Sequence, residues 1–165
     1  MAPWTLTQHS ERMDTPTAEF LPGLTLSRIL YEEAVRPILE KEHPGLRYAA
    51  ARVGPGSEVL GFDTARSTDH DWGPRLELFL TPEDAAAHAA NLHRLLAYRL
   101  PKQIRGWPTH FQHRHPGDPV GHMEVTDGPV DHRVSITTVD TWLSAHLGLH
   151  QETVELTVGD WLAMP

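Results

Sequence analysis

The chain has 165 residues, a formal charge of −8 and no cysteine. Zero cysteines exclude disulfides, thiolate chemistry and any Cys-based zinc site. The acidic balance argues against a broad nucleic-acid-binding face, which needs clustered Lys and Arg. With 39% hydrophobic and 22% charged residues the composition is that of an ordinary globular domain, long enough to bury a core. No apolar run reaches the ~18 residues of a membrane span and the first residues lack a signal sequence, so the expected location is the cytoplasm.

Taken in chain order, residues 1–19 are polar and aperiodic and read as a flexible N-terminus ahead of a domain over 20–165. Leu26, Ile29, Leu30, Ala34, Ile38 and Leu39 recur at three- and four-residue spacing, predicting a helix over Leu24–Glu42. Pro37 should kink or divide that helix, and His43-Pro44-Gly45 should end it. Arg47–Val53 reads as a short buried strand, followed directly by a Gly54-Pro55-Gly56-Ser57 turn. Arg75–Leu80 is a second predicted strand. Thr81 then caps a helix that has Pro82 at its first position and Glu83 and Asp84 in its first turn, and that runs to about Tyr98.

Residues 101–118 read as a loop with some extended structure. Two more strands are expected near Val120–Thr126 and His132–Thr138, then a helix over Asp140–Leu147 ended by Gly148. The tail Thr157–Pro165 begins another helical pattern. The order predicts an α+β fold: a small mixed β-sheet with helices packed on it.

The chemistry concentrates between residues 54 and 74. A tight Gly56-Ser57 turn can offer backbone N–H groups to phosphate oxygens. After eleven intervening residues come Asp69 and Asp71, one residue apart. On an extended segment such a pair points to one side and can hold Mg²⁺ (or Mn²⁺), a hard cation usually shared with substrate phosphates. The simplest chemistry for this arrangement is metal-assisted nucleotidyl transfer from a nucleoside triphosphate. Asp63 is a further candidate nucleotide contact, with capping or turn-making as its competing role. Lys102, Arg105 and Arg114 could meet a triphosphate, although a solvated basic loop is the better reading. Trp72 reads as core rather than as a base-stacking platform. His110, His113 and His115 lack the register of a metal site.

The Gly56-Ser57…Asp69-His70-Asp71 order resembles the nucleotidyltransferase fold of the DNA polymerase beta superfamily. The longer string Gly56-Ser57-Glu58-Val59-Leu60-Gly61-Phe62-Asp63, with Ser67, Asp69-His70-Asp71-Trp72-Gly73-Pro74, is similar to a largely bacterial family known as domain of unknown function 4037. Phe20-Leu21-Pro22-Gly23-Leu24, Tyr31–Pro37, Gly106–Phe111, Asp131–Val134, Leu147-Gly148 and Asp160-Trp161-Leu162 extend the likeness to nearly everything after residue 19.

The resemblance implies a catalytic-type domain without the C-terminal helical region usual in that family. It implies Gly56 and Ser57 at the triphosphate, Asp69 and Asp71 at Mg²⁺, and an unidentified acceptor. A third carboxylate should stand on a later strand. The strand expected to carry it has Ser135 at its centre, which leaves Asp131 as the nearest stand-in, then Glu124 and Asp140. That departure leaves a nucleotide-binding module with weak or no turnover, or a fragment needing its helical partner, as the alternatives.

Overall fold

A computed structural model describes residues 18–69, 71–113 and 121–148, without the side chain of Asp69. The predicted N-terminal segment, apart from its last two residues, and the predicted tail helix lie outside that part.

The first helical stretch forms as α1 (Gly23–Leu30), a π-helical turn (Tyr31–Val35) and α2 (Arg36–Glu42). Pro37 lies in the first turn of α2. It has no N–H to give, and its ring would crowd the carbonyl four residues back; the wider π turn just before it absorbs the misfit. β1 covers Tyr48–Ala51, β2 Arg75–Leu80 and β7 Arg133–Thr137. α3 runs from Pro82 to Arg99, and the Thr81 side chain caps it by accepting the Asp84 N–H at 3.1 Å. Between α3 and β7 lie two short ladders, β3 (Gln103–Ile104) with β4 (Trp107–Pro108) and β5 (His110–Gln112) with β6 (His122–Glu124). α4 covers Val139–Leu147, and Gly148 closes it at φ +67°.

The main sheet is mixed, in the order β1-β2-β7, with β1 antiparallel and β7 parallel to β2. The fold is therefore α+β with small sheets, as the element order predicts. β1 differs from expectation in one respect: its residues are half-buried or exposed rather than buried. The reason is that β1 is an edge strand of the sheet.

On the covered face, Leu76, Leu78 and Leu80 meet Leu30, Ala34, Val35 and Leu39 from the first helices. Leu92 and Leu96 join them from α3, at the four-residue spacing that aligns one helix stripe, and Leu100 joins from just past its end. On the other face, strand alternation and register bring together Arg75, Glu77 and Phe79 with Arg133, Ser135 and Thr137. A second cluster of Leu26, Trp72 and Ile104 packs with Phe20 and Trp107. Trp72 is 2% exposed, stacked on Phe20 and edge-on to Trp107, so it serves the core. Among the described residues, no helix is long and apolar enough to cross a membrane.

Candidate functional site

The Gly-Pro-Gly-Ser turn leaves the end of β1 and folds back over its own next residue. Glu58 is tucked beneath it, 2% exposed, where a Cβ on Gly56 would sit 2.4 Å from the Glu58 carboxylate. Gly56 also has φ +140°, so the position demands glycine on both counts. The turn continues with Phe62 N–H donating to Ser57 C=O at 2.9 Å. Asp63 then ties the loop down: its carboxylate accepts the Gly23 N–H at 2.6 Å and the Trp72 indole N–H at 3.0 Å. That bond satisfies a free donor at the start of α1, which is the capping role for Asp63.

Two arginines converge on buried Glu58. Arg52, just past β1, donates through Nε at 3.0 Å and Nη2 at 2.8 Å. Arg75, at the start of β2, donates through Nε at 2.9 Å and Nη2 at 2.6 Å. Arg52 also reaches Glu77 Oε1 at 3.2 Å, and Arg75 reaches Asp71 Oδ1 at 2.6 Å. The result is an alternating row, Glu77–Arg52–Glu58–Arg75–Asp71. Burial pushes the Glu58 carboxyl up, but hydrogen bonds from its own backbone and from the two guanidinium groups outweigh it and hold it below the ordinary carboxylate range. Glu77 is engaged on both oxygens, because its Oε2 accepts the Val53 N–H at 3.0 Å.

This row borders a cavity of about 590 Å³. Arg52, Asp71, Arg75 and Glu77 line it, with Arg133, Ser135, His93 and His132, and of the turn Pro55 lines it whereas Gly56 and Ser57 do not. His146 lines it as well, its ring stacked on Trp142 at 4.3 Å and its Nδ1–H donating to the Trp142 carbonyl at 3.0 Å. His132 is 5% exposed. Its Nδ1 accepts the Val134 N–H and its Nε2–H donates to the His93 carbonyl, which fixes the neutral tautomer. Burial accordingly lowers its pKa, against the hydrogen bond to His93.

The two aspartates do not lie on an extended segment. Asp69 ends a 3₁₀ turn over Ala65–Asp69, Asp71 sits at φ +44°, and β2 starts only at Arg75. The same-side argument from strand alternation therefore does not apply to them. Asp is among the residues that tolerate a left-handed backbone, and such an outlier at a cavity wall is typical of functional positions. Ser135 occupies the middle of β7 as expected, level with Glu77.

Other candidates fall outside the cavity wall. Asp131 pairs with His113 at 3.6 Å. Glu124 pairs with His122 at 3.5 Å. Lys102 donates to the Gly128 carbonyl and Arg105 pairs with Glu33. Asp140 lies in the first turn of α4. His110 Nδ1 accepts the Asp131 N–H at 2.8 Å, and no cluster of three metal-ligating side chains exists among the described residues. His70, Arg114 and His115 lie outside the description.

Glu58, Arg52, Arg75, Glu77 and Arg133 were not singled out from sequence. The alternation Arg75-Leu76-Glu77-Leu78 carried a signal for two of them, since it sets a charged face against an apolar one. Nothing local marks Glu58, whose burial depends on arginines brought from two strands.

Fold and site together define an α+β domain with an arginine- and carboxylate-lined cavity beside the open face of a mixed sheet. Comparison of the chain with protein-family models, curated proteins and solved structures gave no match.

Proposed function

We propose that the domain is a polymerase-beta-like nucleotidyltransferase that moves a nucleoside monophosphate from an NTP to an acceptor hydroxyl or phosphate. The observation that carries this reading is that Asp71, Glu77 and Pro55 of the Gly-Pro-Gly-Ser turn share the wall of a cavity of about 590 Å³. That volume is within the usual ~300–1,000 Å³ of ligand sites. In the transfer, an acceptor oxygen forms a bond to the α-phosphorus, the bond from that phosphorus to pyrophosphate breaks, and the acceptor proton is released.

The donor set fits a hard cation. Asp71 is 43% exposed and spends Oδ1 on Arg75, so its other oxygen is available, and the sequence motif adds Asp69. Mg²⁺ needs only one or two carboxylates when phosphates complete its shell, and when bound it would neutralise phosphate charge. Ser57 is exposed at the turn, suitably placed in sequence to meet phosphate oxygens. Arg75, fixed between Glu58 and Asp71, keeps Asp71 oriented toward the cavity side of β2.

A second reading, binding without turnover, is favoured by one feature: Ser135 stands level with Glu77, whose own oxygens are both engaged. Calorimetric titration with ATP and Mg²⁺ tests the site, and binding lost in the Asp69→Ala/Asp71→Ala variant is the expected result. Absence of binding, or equal binding by the variant, sinks both readings. Incubation with α-labelled NTPs and a cell extract separates them, a labelled acceptor favouring the transferase.

A further inference from the structure

Three arginines line the cavity, and they are not equivalent. Arg52 and Arg75 are saturated by Glu58, Glu77 and Asp71. Arg133 makes no side-chain hydrogen bond or ion pair among the described residues. The residue is half-buried, and its Nη2 is shut off from solvent with no partner among the described residues. The carboxylates in the cavity wall, Asp71 and Glu77, are engaged by Arg75 and by Arg52 with the Val53 N–H. Asp131, two positions earlier, is turned to His113.

A guanidinium with one donor closed off from water and no counter-charge among the described residues is poorly satisfied, and an anionic ligand would satisfy it. The fold holds this one firmly. Its guanidinium carbon lies 5.1 Å above the Phe111 ring, a stacking that orients the donor fork. Gly121 makes room beside it, since a Cβ there would come within 3.3 Å of Nη2. Register with Arg75 at the start of two paired strands fixes its height along the cavity. Neutral His132 beside it adds no second positive charge.

We propose that Arg133 is the centre of an oxyanion subsite in the cavity wall that takes a phosphate group. The choice of phosphate over carboxylate rests on the nucleotide reading above; the case for an anion at Arg133 does not. The phosphate could be carried by the nucleotide itself or by the acceptor, and the experiment separates these sources.

Inorganic phosphate and ATP, with and without Mg²⁺, are titrated into the wild type and into Arg133→Met and Arg133→Lys. The Arg133 Nε–H signal is followed by NMR in the wild type. Phosphate should shift that signal, and Arg133→Met should weaken phosphate binding roughly tenfold or more, the worth of a charge-assisted hydrogen bond. Its thermal midpoint should stay level or rise, because a poorly satisfied donor has been replaced by an apolar side chain. Arg133→Lys, which keeps the charge but loses the fork, should bind at an intermediate level and guards against a folding failure in the Met variant.

ATP weakened in parallel and displacing phosphate would assign the subsite to the nucleotide. Unchanged ATP affinity with phosphate still bound beside ATP would assign it to the acceptor. Phosphate and ATP affinities that ignore Arg133, or a lowered midpoint as the sole effect, overturn the proposal. Phosphate bound through Arg133 by a protein that never binds ATP would keep the subsite and sink the nucleotide reading instead.

Discussion

The two faces of β2 are built from one run of six residues, Arg75-Leu76-Glu77-Leu78-Phe79-Leu80, yet they are held by different physics. Leu76, Leu78 and Leu80 are at most 5% exposed and are stabilised by removal of apolar surface from water. Arg75 and Glu77 are nearly as enclosed, with side chains 12% and 14% exposed, and they tolerate enclosure only because each charge has a partner. The apolar face can yield by local repacking. The charged face cannot, because loss of one member strands its neighbours.

That contrast is broken most directly at Glu58. Glu58→Ala leaves Arg52 and Arg75 facing each other around an empty site and should cost about 3–5 kcal/mol, read from the urea midpoint. If it costs under ~1 kcal/mol, the charged face is merely solvated and the contrast fails. Leu78→Ala, on the opposite face of the same strand and 1% exposed, should cost about 2–5 kcal/mol. The two losses should differ in kind, since added salt should change the Glu58 penalty and not the Leu78 penalty. Gly56→Ala sets a methyl group against the Glu58 carboxylate at φ +140° and should cost about 1–3 kcal/mol in thermal unfolding. It should also weaken ATP binding if the turn meets phosphate.

The smallest effect is confined to acid. Unfolded His132 takes a proton near pH 6.5, whereas the buried imidazole resists until lower pH. The unfolded state therefore binds more protons in that window. Stability should be complete above about pH 6.5 and fall as pH drops below it, by at most about 1.4 kcal/mol per pH unit. Glu58 acts separately: its folded value lies below the ordinary 4.5, so its contribution is present above that pH and is lost on further acidification. His132→Gln should flatten the first stage of a stability–pH curve and leave the second.

Much of the fold was legible because it follows from short-range rules. The limits of β2, the Thr81 cap, the Pro37 disruption and the Gly148 stop each depend on one or two residues and their immediate neighbours. The candidate site was less legible. Gly56, Ser57 and Asp71 could be picked out as punctuation and charge. The partners that give Asp71 its setting, Arg75 and through it Glu58 and Arg52, are joined only by long-range pairing. Asp63 and Lys102 were equally plausible by type, and tertiary contacts gave them a helix start and a loop carbonyl instead. Placing Asp69 and Asp71 on an extended segment failed because Asp69 ends a 3₁₀ turn and Asp71 takes a left-handed backbone ahead of β2.

The location of Glu58, one residue after Ser57, has a mechanical consequence. Any swing of the Gly-Pro-Gly-Ser turn would have to drag a carboxylate out from between two guanidinium groups anchored on separate strands. The turn is thus a fixed wall rather than a flap. An incoming phosphate group would meet backbone donors already in position, and association would lose little affinity to ordering them. The hydrogen-bonded amides of Val59, Gly61 and Phe62 should then exchange slowly with or without ligand, while the Gly56 and Ser57 amides should gain protection only when phosphate binds.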